Sequence, residues 1–302
     1  MKSVRDALET VLRTALTAFA MMSCTGTAAA QSITLTHVHG LAYGADGTQL
    51  FVPSHDGLAI YSAGRWSKAP GPQHDYMGFT AAKSGLYSSG HPAAGSGLKN
   101  PFGLIKSADG GRTWQKHGLE GEADFHLLAA SYETNAVYVY NAERNSRMDR
   151  TGLYYTLNDG FTWTRTKAHG LTSQVHAIAV HPSKPQIVGV AANDGLFLST
   201  DSGESFERLA AGQTLGAFFE LDGEHLIYSM YGGMARLYRH SLNSRRHTDI
   251  PLPPLTRDAV SYIAQNTADR HEYAIATFER SVFITRNLGK NWLQIAQNGR
   301  TK

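Results

Sequence analysis

The sequence predicts an all-β fold in which six four-stranded sheets form a ring, a six-bladed β-propeller. A phrase of the form Ser/Thr-x-Asp/Asn-x-Gly-x-x-aromatic occurs four times, closing at Trp114, Trp163, Phe206 and Trp292. These aromatic residues lie 49, 43 and 86 residues apart, and because the last interval is twice the one before it, a degenerate copy is expected in between. A short apolar segment precedes each copy. Repeats of this length are typical of radial and solenoid arrays.

The residue types in the phrase are those of a hairpin turn. Its third position holds Asp109, Asn158, Asp201 or Asn287, whose side-chain oxygens can accept hydrogen bonds from their own turn. The glycine two residues later supplies the positive φ that other residues resist. The closing Trp or Phe is large enough to fill the space between neighbouring units. We therefore expect these four Asp and Asn residues to be structural.

The same strand signal occurs twice more without a full phrase. Residues 57–61 lead to the shortened phrase 62–66, and residues 236–239 lead to the degenerate phrase 241–246. Six repeats in the 272 residues that follow residue 30 give roughly 45 residues each, the size of a four-stranded blade. Seven blades would require a further, very degenerate repeat that the sequence does not show.

The fourth repeat shows the expected order of strands from the centre outwards. Val, Ile and aromatic residues with turn residues between them predict four strands, at 175–180, 187–191, 195–199 and 206–209. The last apolar segment, 292–296, is expected to pair around the seam of the ring with the first blade or with 33–36. An open ring would expose sheet edges.

Residues 1–30 differ in kind from the rest. Basic residues precede an apolar run at 15–22, and small residues end at Ala30. This pattern is typical of a signal peptide cleaved after residue 30, so residues 31–302 are expected to form a single propeller domain in the periplasm. The alternative is a lipoprotein processed before Cys24, the only cysteine, although the residues before it fit a lipobox poorly.

The composition argues against several kinds of partner. The formal net charge is +3, and the sequence contains no run of Lys and Arg. Nucleic acids and acidic membrane surfaces are therefore not expected as partners. No apolar segment is long enough to predict a membrane span.

Candidate site residues come from aligning the starts of the six inner strands. Four of the six equivalent positions hold His39, Met77, His126 and His176. Equivalent positions in a ring converge on its axis, so these side chains are expected to meet at the central channel and bind a metal ion. Three imidazoles and a thioether favour copper, especially Cu⁺, while zinc bound through the imidazoles alone is the second choice.

Further donors are expected on the same face, from hairpins and from the approaches to the inner strands. They would serve as additional ligands or as hydrogen-bonding supports: His37, His55, His74, Asp75, His91 and Asn141. The structural alternative is that the histidines hydrogen-bond backbone carbonyls and line a water-filled channel.

The four phrases resemble the repeats of Asp-box (BNR) β-propellers. Five further segments resemble an exported bacterial subgroup that is labelled glycosyl hydrolase or exo-sialidase-like by fold: 37–43, 74–79, 88–92, 124–131 and 138–141. The resemblance implies a propeller with its Asp-box turns at the outer rim, between the third and fourth strands of a blade. It does not by itself imply a reaction.

A glycosyl hydrolase of sialidase-like fold is the first alternative function. Sialidases resemble one another in an Arg-Ile-Pro motif and an arginine triad, but this sequence has no Arg-Ile-Pro, and Arg280 is the only clear arginine on the predicted face. Sialidase activity is therefore not expected. Another glycosidase would need two acidic groups at a defined separation, and the candidates are Asp56, Asp75, Asp124 and Glu279.

The second alternative is a non-enzymatic scaffold that grips a periplasmic protein partner with one face. Apolar residues of the fifth repeat would form that surface: Phe218, Phe219, Tyr228, Met230, Tyr231 and Met234. The same residues could instead pack against neighbouring blades.

Overall fold

The fold is a ring of six antiparallel sheets. The computed structural model describes residues 32–302, and the predicted signal peptide with Cys24 lies outside them. Within this range every regular element is a β-strand, and the strands form six sheets. This confirms the prediction of a six-bladed β-propeller. No helix in this part of the chain is long and apolar enough to cross a membrane.

Blades 1 to 3 each have four strands, numbered from the innermost outwards. Blade 1 contains β1 (Ala42–Tyr43), β2 (Leu50–Ser54), β3 (Gly57–Ser62) and β4 (Arg65–Lys68). Blade 2 contains β5 (Asp75–Ala82), β6 (Gly85–His91), β7 (Ile105–Ser107) and β8 (Gln115–Lys116). Blade 3 contains β9 (Leu128–Ala130), β10 (Val137–Asn141), β11 (Gly152–Thr156) and β12 (Thr164–Arg165).

Blades 4 and 5 repeat this order, and blade 6 has a fifth strand. Blade 4 contains β13 (Val175–Val180), β14 (Val188–Ala192), β15 (Gly195–Ser199) and β16 (Glu207–Ala211). Blade 5 contains β17 (Thr214–Phe219), β18 (His225–Tyr231), β19 (Ala235–Ser241) and β20 (His247–Ile250). Blade 6 contains β21 (Val260–Gln265), β22 (Tyr273–Thr277), β23 (Val282–Thr285), β24 (Leu293–Gln297) and β25 (Arg300–Thr301).

The strands predicted for the fourth repeat agree with blade 4 to within two residues. β13 and β15 have the predicted bounds, and β14 begins and ends one residue later than predicted. β16 begins at Glu207 because Phe206 packs at the boundary between blades 3 and 4. The Phe206 amide donates to His169 O (2.7 Å), and the Phe206 ring packs in the apolar cluster there.

Apolar side chains fill the six boundaries between blades. Each boundary has its own buried cluster, drawn from the two blades that flank it. Between blades 2 and 3, for example, Tyr87 and Leu104 pack with Val137 and Val139. Burial of these sheet faces against one another is the main favourable contribution to folding in this architecture.

The four repeat turns lie between the third and fourth strands of blades 2, 3, 4 and 6 and share one hydrogen-bond pattern. In blade 2, Ser107 Oγ donates to Asp109 Oδ1 (2.9 Å), and Gly111 N donates to Ser107 Oγ (2.8 Å). Thr113 N donates to Asp109 Oδ1 (2.8 Å). Equivalent bonds recur in the other three turns, around Asn158, Asp201 and Asn287.

Each closing aromatic ring packs at the boundary with the preceding blade. Trp114 lies between blades 1 and 2, Trp163 between blades 2 and 3, and Trp292 between blades 5 and 6. In blade 1, Trp66 takes the same place against blade 6 and donates its Nε1–H to Ile295 O (2.9 Å). The repeat phrase therefore supplies an anchor between blades.

The fifth strand of blade 6 closes the ring. The turn at Asn298–Gly299 reverses the chain, since both residues have left-handed φ, and brings β25 back along β24. Thr34 then forms an antiparallel bridge with Arg300. The sequence predicts pairing of 292–296 with the first blade or with 33–36. The structure instead places β25 between 292–296 and 33–36.

Candidate metal centre

The inner strands surround a central cavity of about 140 Å³ whose walls come from all six blades. His39, His126 and His176 line this cavity, and so does Gly78, the residue after Met77. Equivalent positions in the repeats therefore do converge on the axis. Among the described residues, however, His39 and His126 belong to two different clusters, each of which could bind its own ion.

The first cluster, which we call the four-donor group, consists of His37, His39, His55 and Asp75. Two of the histidines lie in the loop before β1, His55 lies in the turn between β2 and β3, and Asp75 begins β5. His55 Nδ1 donates to Asp75 Oδ2 (2.7 Å). His39 Nε2 lies 3.4 Å from His55 Nδ1 and 3.5 Å from Asp75 Oδ1. The His37 ring stacks on the His55 ring, with centroids 5.1 Å apart.

Burial sets the protonation of two histidines of this group, His37 and His39. Burial lowers the pKa of His39 to about 4, and the opposing effect of Asp75 is smaller. Burial and the nearby charges of His55 and Arg280 lower the pKa of His37 as well. Both imidazoles are therefore neutral at pH 7. A neutral ring has a nitrogen lone pair available for a metal ion.

The second cluster, which we call the three-donor group, consists of His91, Asp124 and His126. His91 ends β6, and the other two residues lie in the loop before β9. His126 Nε2 donates to Asp124 Oδ2 (2.6 Å), and His91 Nε2 lies 3.1 Å from the same oxygen. His91 Nδ1 donates to Asn100 Oδ1 (2.6 Å), which holds the His91 ring with its Nε2 toward Asp124.

The two groups adjoin one another across blades 1 to 3. Asp75 and His91 are direct partners on β5 and β6. The hydrogen bond to Asp124 raises the pKa of His126, and the charge of Asp75 adds to this effect. Burial alone would raise the pKa of Asp124, but its hydrogen bonds and charge interactions with His126 and His91 lower it below the ordinary value. The result is one patch of five imidazoles and two carboxylates.

One oxygen of each carboxylate has no hydrogen-bond partner. Asp75 Oδ1 and Asp124 Oδ1 are both buried, and neither accepts a hydrogen bond from any residue between 32 and 302. A buried carboxylate oxygen without a partner is costly. A cation held between the carboxylate and the imidazoles would satisfy it.

Close packing of blades 1 to 3 brings the two groups together. Gly40 forms a parallel bridge with Phe79, and a Cβ at Gly40 would lie only 2.7 Å from the Cβ of Phe79. Gly78 has a left-handed φ, and a side chain there would overlap the carbonyl oxygen of Phe125. Phe125 N also donates to Ser89 Oγ (3.0 Å). These contacts hold the segments that carry both groups against β5.

Two of the predicted supporting residues bind backbone groups instead of facing the cluster. His74 is buried, and its Nδ1 accepts a hydrogen bond from Ala93 N (2.9 Å). Asn141 Nδ2 donates to the carbonyls of Glu143 (2.6 Å) and Arg150 (3.1 Å). These bonds give both side chains a role in holding loops on this face.

Met77 and His176 lie outside both groups as defined. Met77 follows Asp75 by two residues on β5, and its side chain is buried. His176 lies on β13 and lines the central cavity. Its Nε2 is buried and has no hydrogen-bond partner in the described chain.

Sequence reasoning did not select Asp124 or Asn100 as metal-site residues. Asp124 enters the sequence analysis only as a candidate acid, yet it contacts both His91 and His126. Its position two residues before His126 could have indicated that the two side chains lie together, because alternate residues of an extended segment share a face. Asn100 lies in a loop outside the repeat, and no sequence pattern would have placed it beside His91.

A third cluster of titratable residues follows β17, at the opposite end of an inner strand. Glu220, Asp222 and His225 have donor atoms close enough to share an ion. Arg239 already donates from Nε and Nη2 to the two oxygens of Glu220 (2.6 and 2.7 Å), and Tyr273 Oη donates to Glu220 Oε1 (2.9 Å). These bonds satisfy the carboxylate, so we assign the cluster to a buried ion pair.

The apolar residues of the fifth repeat mostly pack between blades. Phe219, Tyr228 and Met230 lie at the boundary between blades 4 and 5, and Phe218 lies at the boundary with blade 6. Met234 is largely exposed. These residues therefore do not form a continuous exposed surface for a partner.

Solved structures share this fold at low sequence identity. A GH74 enzyme from Niastella koreensis has a TM-score of 0.60 and 16% identity, over 87% of this chain and 46% of its own. The GH74 xyloglucanase from Xanthomonas campestris has a TM-score of 0.52 and 15% identity, over 88% of this chain and 46% of its own. The β-propeller domain of Cps50 (Swd1) from Myceliophteria thermophila has a TM-score of 0.55 and 12% identity, over 88% of this chain and 90% of its own.

The chain spans less than half the length of the two GH74 structures. No protein-family model and no curated protein matches the sequence. At these identities the likeness is one of fold alone: the chain is a β-propeller, and propellers of one architecture differ in function through the side chains on their faces.

Proposed function

We propose that this propeller binds a divalent transition-metal ion, most readily copper as Cu²⁺, through the four-donor group. The observation that carries the proposal is a group of three imidazoles, two of which, His39 and His55, lie against the carboxylate of Asp75. That carboxylate, Asp75, keeps a buried oxygen without a hydrogen-bond partner. A bound cation would supply the missing partner and would use the lone pairs of neutral His37 and His39.

The distances within the group suit coordination. Metal–nitrogen bonds are about 2.0–2.1 Å long, so neighbouring ligands lie about 2.9 Å apart around a square-planar ion and about 3.3 Å apart around a tetrahedral one, and modest side-chain rotation would reach either spacing. His39 Nε2 lies 3.4 Å from His55 Nδ1 and 3.5 Å from Asp75 Oδ1. The proton that His55 now shares with Asp75 would leave as the ion binds, since ligands must be deprotonated.

The donor atoms favour copper in its divalent state. Imidazole suits Cu²⁺, Zn²⁺ and Ni²⁺, and a carboxylate is a poor ligand for Cu⁺, which prefers sulfur. Copper binds a given nitrogen and oxygen site more tightly than zinc does. We therefore propose Cu²⁺ as the ligand and Zn²⁺ as its competitor. A sulfur ligand from Met77 is proposed only for the reduced ion.

The proposal extends to location and kinship. The pattern of residues 1–30 supports export to the periplasm. The hydrogen bonds shared by the four repeat turns support kinship with Asp-box propellers.

Metal binding can be tested on tag-free protein by measuring copper content and Cu²⁺ affinity by competition titration. We expect tight binding in the wild type and a loss of roughly 100-fold or more in the first dissociation constant for His55→Ala, because a direct ligand should cost more than an outer hydrogen-bond partner does. The His55 side chain is 45% exposed, so its removal should leave the fold intact.

The matched control is His271→Ala. His271 also lies beside a carboxylate, with its Nδ1 3.3 Å from Asp269 Oδ1, but this pair is exposed and belongs to neither group. The control should bind copper as the wild type does. Wild-type protein without tight metal, or equal losses in the two variants, would contradict the proposal.

Glycoside hydrolysis is the second candidate, favoured by two carboxylates, Asp75 and Asp124, on one face. The reaction needs one carboxyl group that is protonated at the working pH. Although burial acts in the opposite direction, His126 and His91 hold the pKa of Asp124 below its ordinary value. Hydrolysis of xyloglucan that disappears in Asp124→Asn would be the result in favour of this candidate.

A further inference from the structure

We propose that the three-donor group, His91, Asp124 and His126, binds a second metal ion that keeps open coordination positions for a small anion. The inference deepens the proposed function, since both ions would sit on the same face. It rests on a different set of residues, so the two can fail separately.

The donors of this group are already gathered around one point. His91 Nε2 and His126 Nε2 lie 3.1 and 2.6 Å from the same oxygen of Asp124. All three donor atoms lie within 4.8 Å of one another. Two imidazoles and one carboxylate are a recognised set for first-row transition metals that retain free positions.

The second oxygen of Asp124 gives an independent reason for a cation here. Asp124 Oδ1 is buried and accepts no hydrogen bond in the described chain, although Oδ2 has two imidazole neighbours. An ion that binds Asp124 through both oxygens, or through Oδ1 alone, would remove this unpaired atom. The imidazoles could then turn their lone pairs toward the ion.

A hydrogen bond to Asn100 orients the His91 ring for metal binding. Its Nδ1 donates to Asn100 Oδ1 (2.6 Å), which keeps a proton on Nδ1, so Nε2 would offer its lone pair once the proton that it shares with Asp124 leaves on metal binding. A hydrogen bond of this kind orients a ligating imidazole and raises its basicity. Asn100 would thus position His91 without contacting the ion.

Exposure and charge distinguish this group from the four-donor group. It offers three donors where the other offers four, and the His126 side chain is 62% exposed. An ion with three protein ligands keeps a strongly binding position for water or another ligand, whereas a fourth protein ligand fills the last such position of a square-planar or tetrahedral ion. A divalent ion with one carboxylate and two neutral imidazoles has a net charge of +1. The open position would therefore favour an anion, such as hydroxide or the oxygen of a small oxyanion.

The experiment combines copper stoichiometry with an azide titration on tag-free wild type, His55→Ala and His126→Ala. Azide serves as the small anion, because its charge-transfer band appears only when it binds Cu²⁺ at a free position. We expect two copper ions per wild-type chain and one in each variant. The azide band should persist in His55→Ala and should weaken at least tenfold in His126→Ala. His271→Ala again serves as the control.

The outcomes separate the two proposals. Two ions and an azide band in His126→Ala would overturn the second site. One ion in the wild type that is lost in His55→Ala but kept in His126→Ala would do so too, and would leave the four-donor proposal standing. One ion with an azide band in the wild type, unchanged in His55→Ala and lost in His126→Ala, would sink the four-donor proposal and support this one.

Discussion

At the scale of single residues, the third position of each repeat turn carries most of the local hydrogen bonding. Asp109 accepts hydrogen bonds from Thr113 N and Thr113 Oγ1, at 2.8 and 2.7 Å. These bonds lower the pKa of Asp109 to about 2. Asn158 takes the same place in blade 3 and accepts from Thr162 N (2.9 Å). The turn needs an acceptor at this position, and its charge is secondary.

The first prediction follows from the presence of Asp in some repeat turns and Asn in others at the same position. Asp109→Asn should change the free energy of unfolding by less than about 0.5 kcal/mol, because an amide oxygen can accept the same backbone hydrogen bond. Asp109→Ala should destabilise the protein by about 1 kcal/mol, as the loss of a capping side chain does elsewhere. Urea denaturation at pH 7 measures both. Equal effects of the two substitutions would show that charge, and not the acceptor, matters.

For the candidate site, the sequence indicates which residues lie near the channel better than it indicates which residues contact one another. His39, His126 and His176 line the channel and Met77 does not; the repeat fixes where each blade begins. The neighbours of each ring depend on loops that differ from blade to blade. The turn that carries His55 and the loop that carries Asn100 have no counterpart in the repeat pattern, so their approach to the inner strands could not be deduced from it.

At the scale of elements, the glycine of each repeat turn lets one blade pack closely on the preceding one. A Cβ at Gly289 would overlap Cγ2 of Ile250, the last residue of β20 in blade 5. The equivalent glycines, Gly111 and Gly160, lie against Leu58 and Leu104 of their own preceding blades. The positive φ and the short distance between blades both require glycine.

The second prediction separates these two requirements. Gly289 has φ +85° and Gly95 has φ +78°, but a Cβ at Gly95 would meet no atom within 4 Å. Gly95→Ala should therefore cost about 1 kcal/mol of unfolding free energy, from the left-handed backbone alone. Gly289→Ala should cost at least about 1 kcal/mol more, because the added methyl displaces Ile250. Denaturant titrations of the two variants give the comparison, and equal costs would rule out the packing role.

The sequence predicts strands well where turn residues bound them on both sides, and less well elsewhere. The strands of blade 4 are predicted to within two residues for this reason. The inner strands of blades 1 and 3 begin later than predicted, at Ala42 and Leu128. His39 N donates to Pro53 O outside the regular ladder (3.1 Å). This hydrogen bond holds the chain at His39 although the segment does not form a regular strand. Such local exceptions depend on tertiary contacts that periodicity does not encode.

At the scale of the whole molecule, the seam depends on a few residues from the two ends of the described chain. Leu35 N donates to Gly299 O (2.7 Å), and Ile33 N donates to Thr301 Oγ1 (2.9 Å). Leu35 is fully buried in the cluster between blades 1 and 6. Without β25, the hydrogen bond from Ile33 would be lost, and only the bond to Gly299 would hold Leu35 in this cluster.

The third prediction concerns that seam. Deletion of residues 300–302 should lower the free energy of unfolding by about 3 kcal/mol or more, since the hydrogen bonds between Thr301 and Ile33 are lost and the segment that carries the buried Ile33 and Leu35 is held less firmly. Lys302→Ala is the control, because its backbone amide still donates to Ile295 O and its side chain is exposed. We expect a change of less than about 0.5 kcal/mol for the control. A deletion variant as stable as the control would show that the seam is held by the inner strands alone.

The seam also means that the ring cannot close until the segments of all six blades have been synthesised. Thr301 and Ile33 are 268 positions apart, so their contact has to wait for the last strand of blade 6. Until then the apolar cluster that contains Leu35, Trp66 and Ile295 stays exposed to water. Chaperones or other incompletely folded copies could bind to this surface. A chain that lacked β25 would keep that apolar surface exposed in every copy, which would make it prone to aggregation.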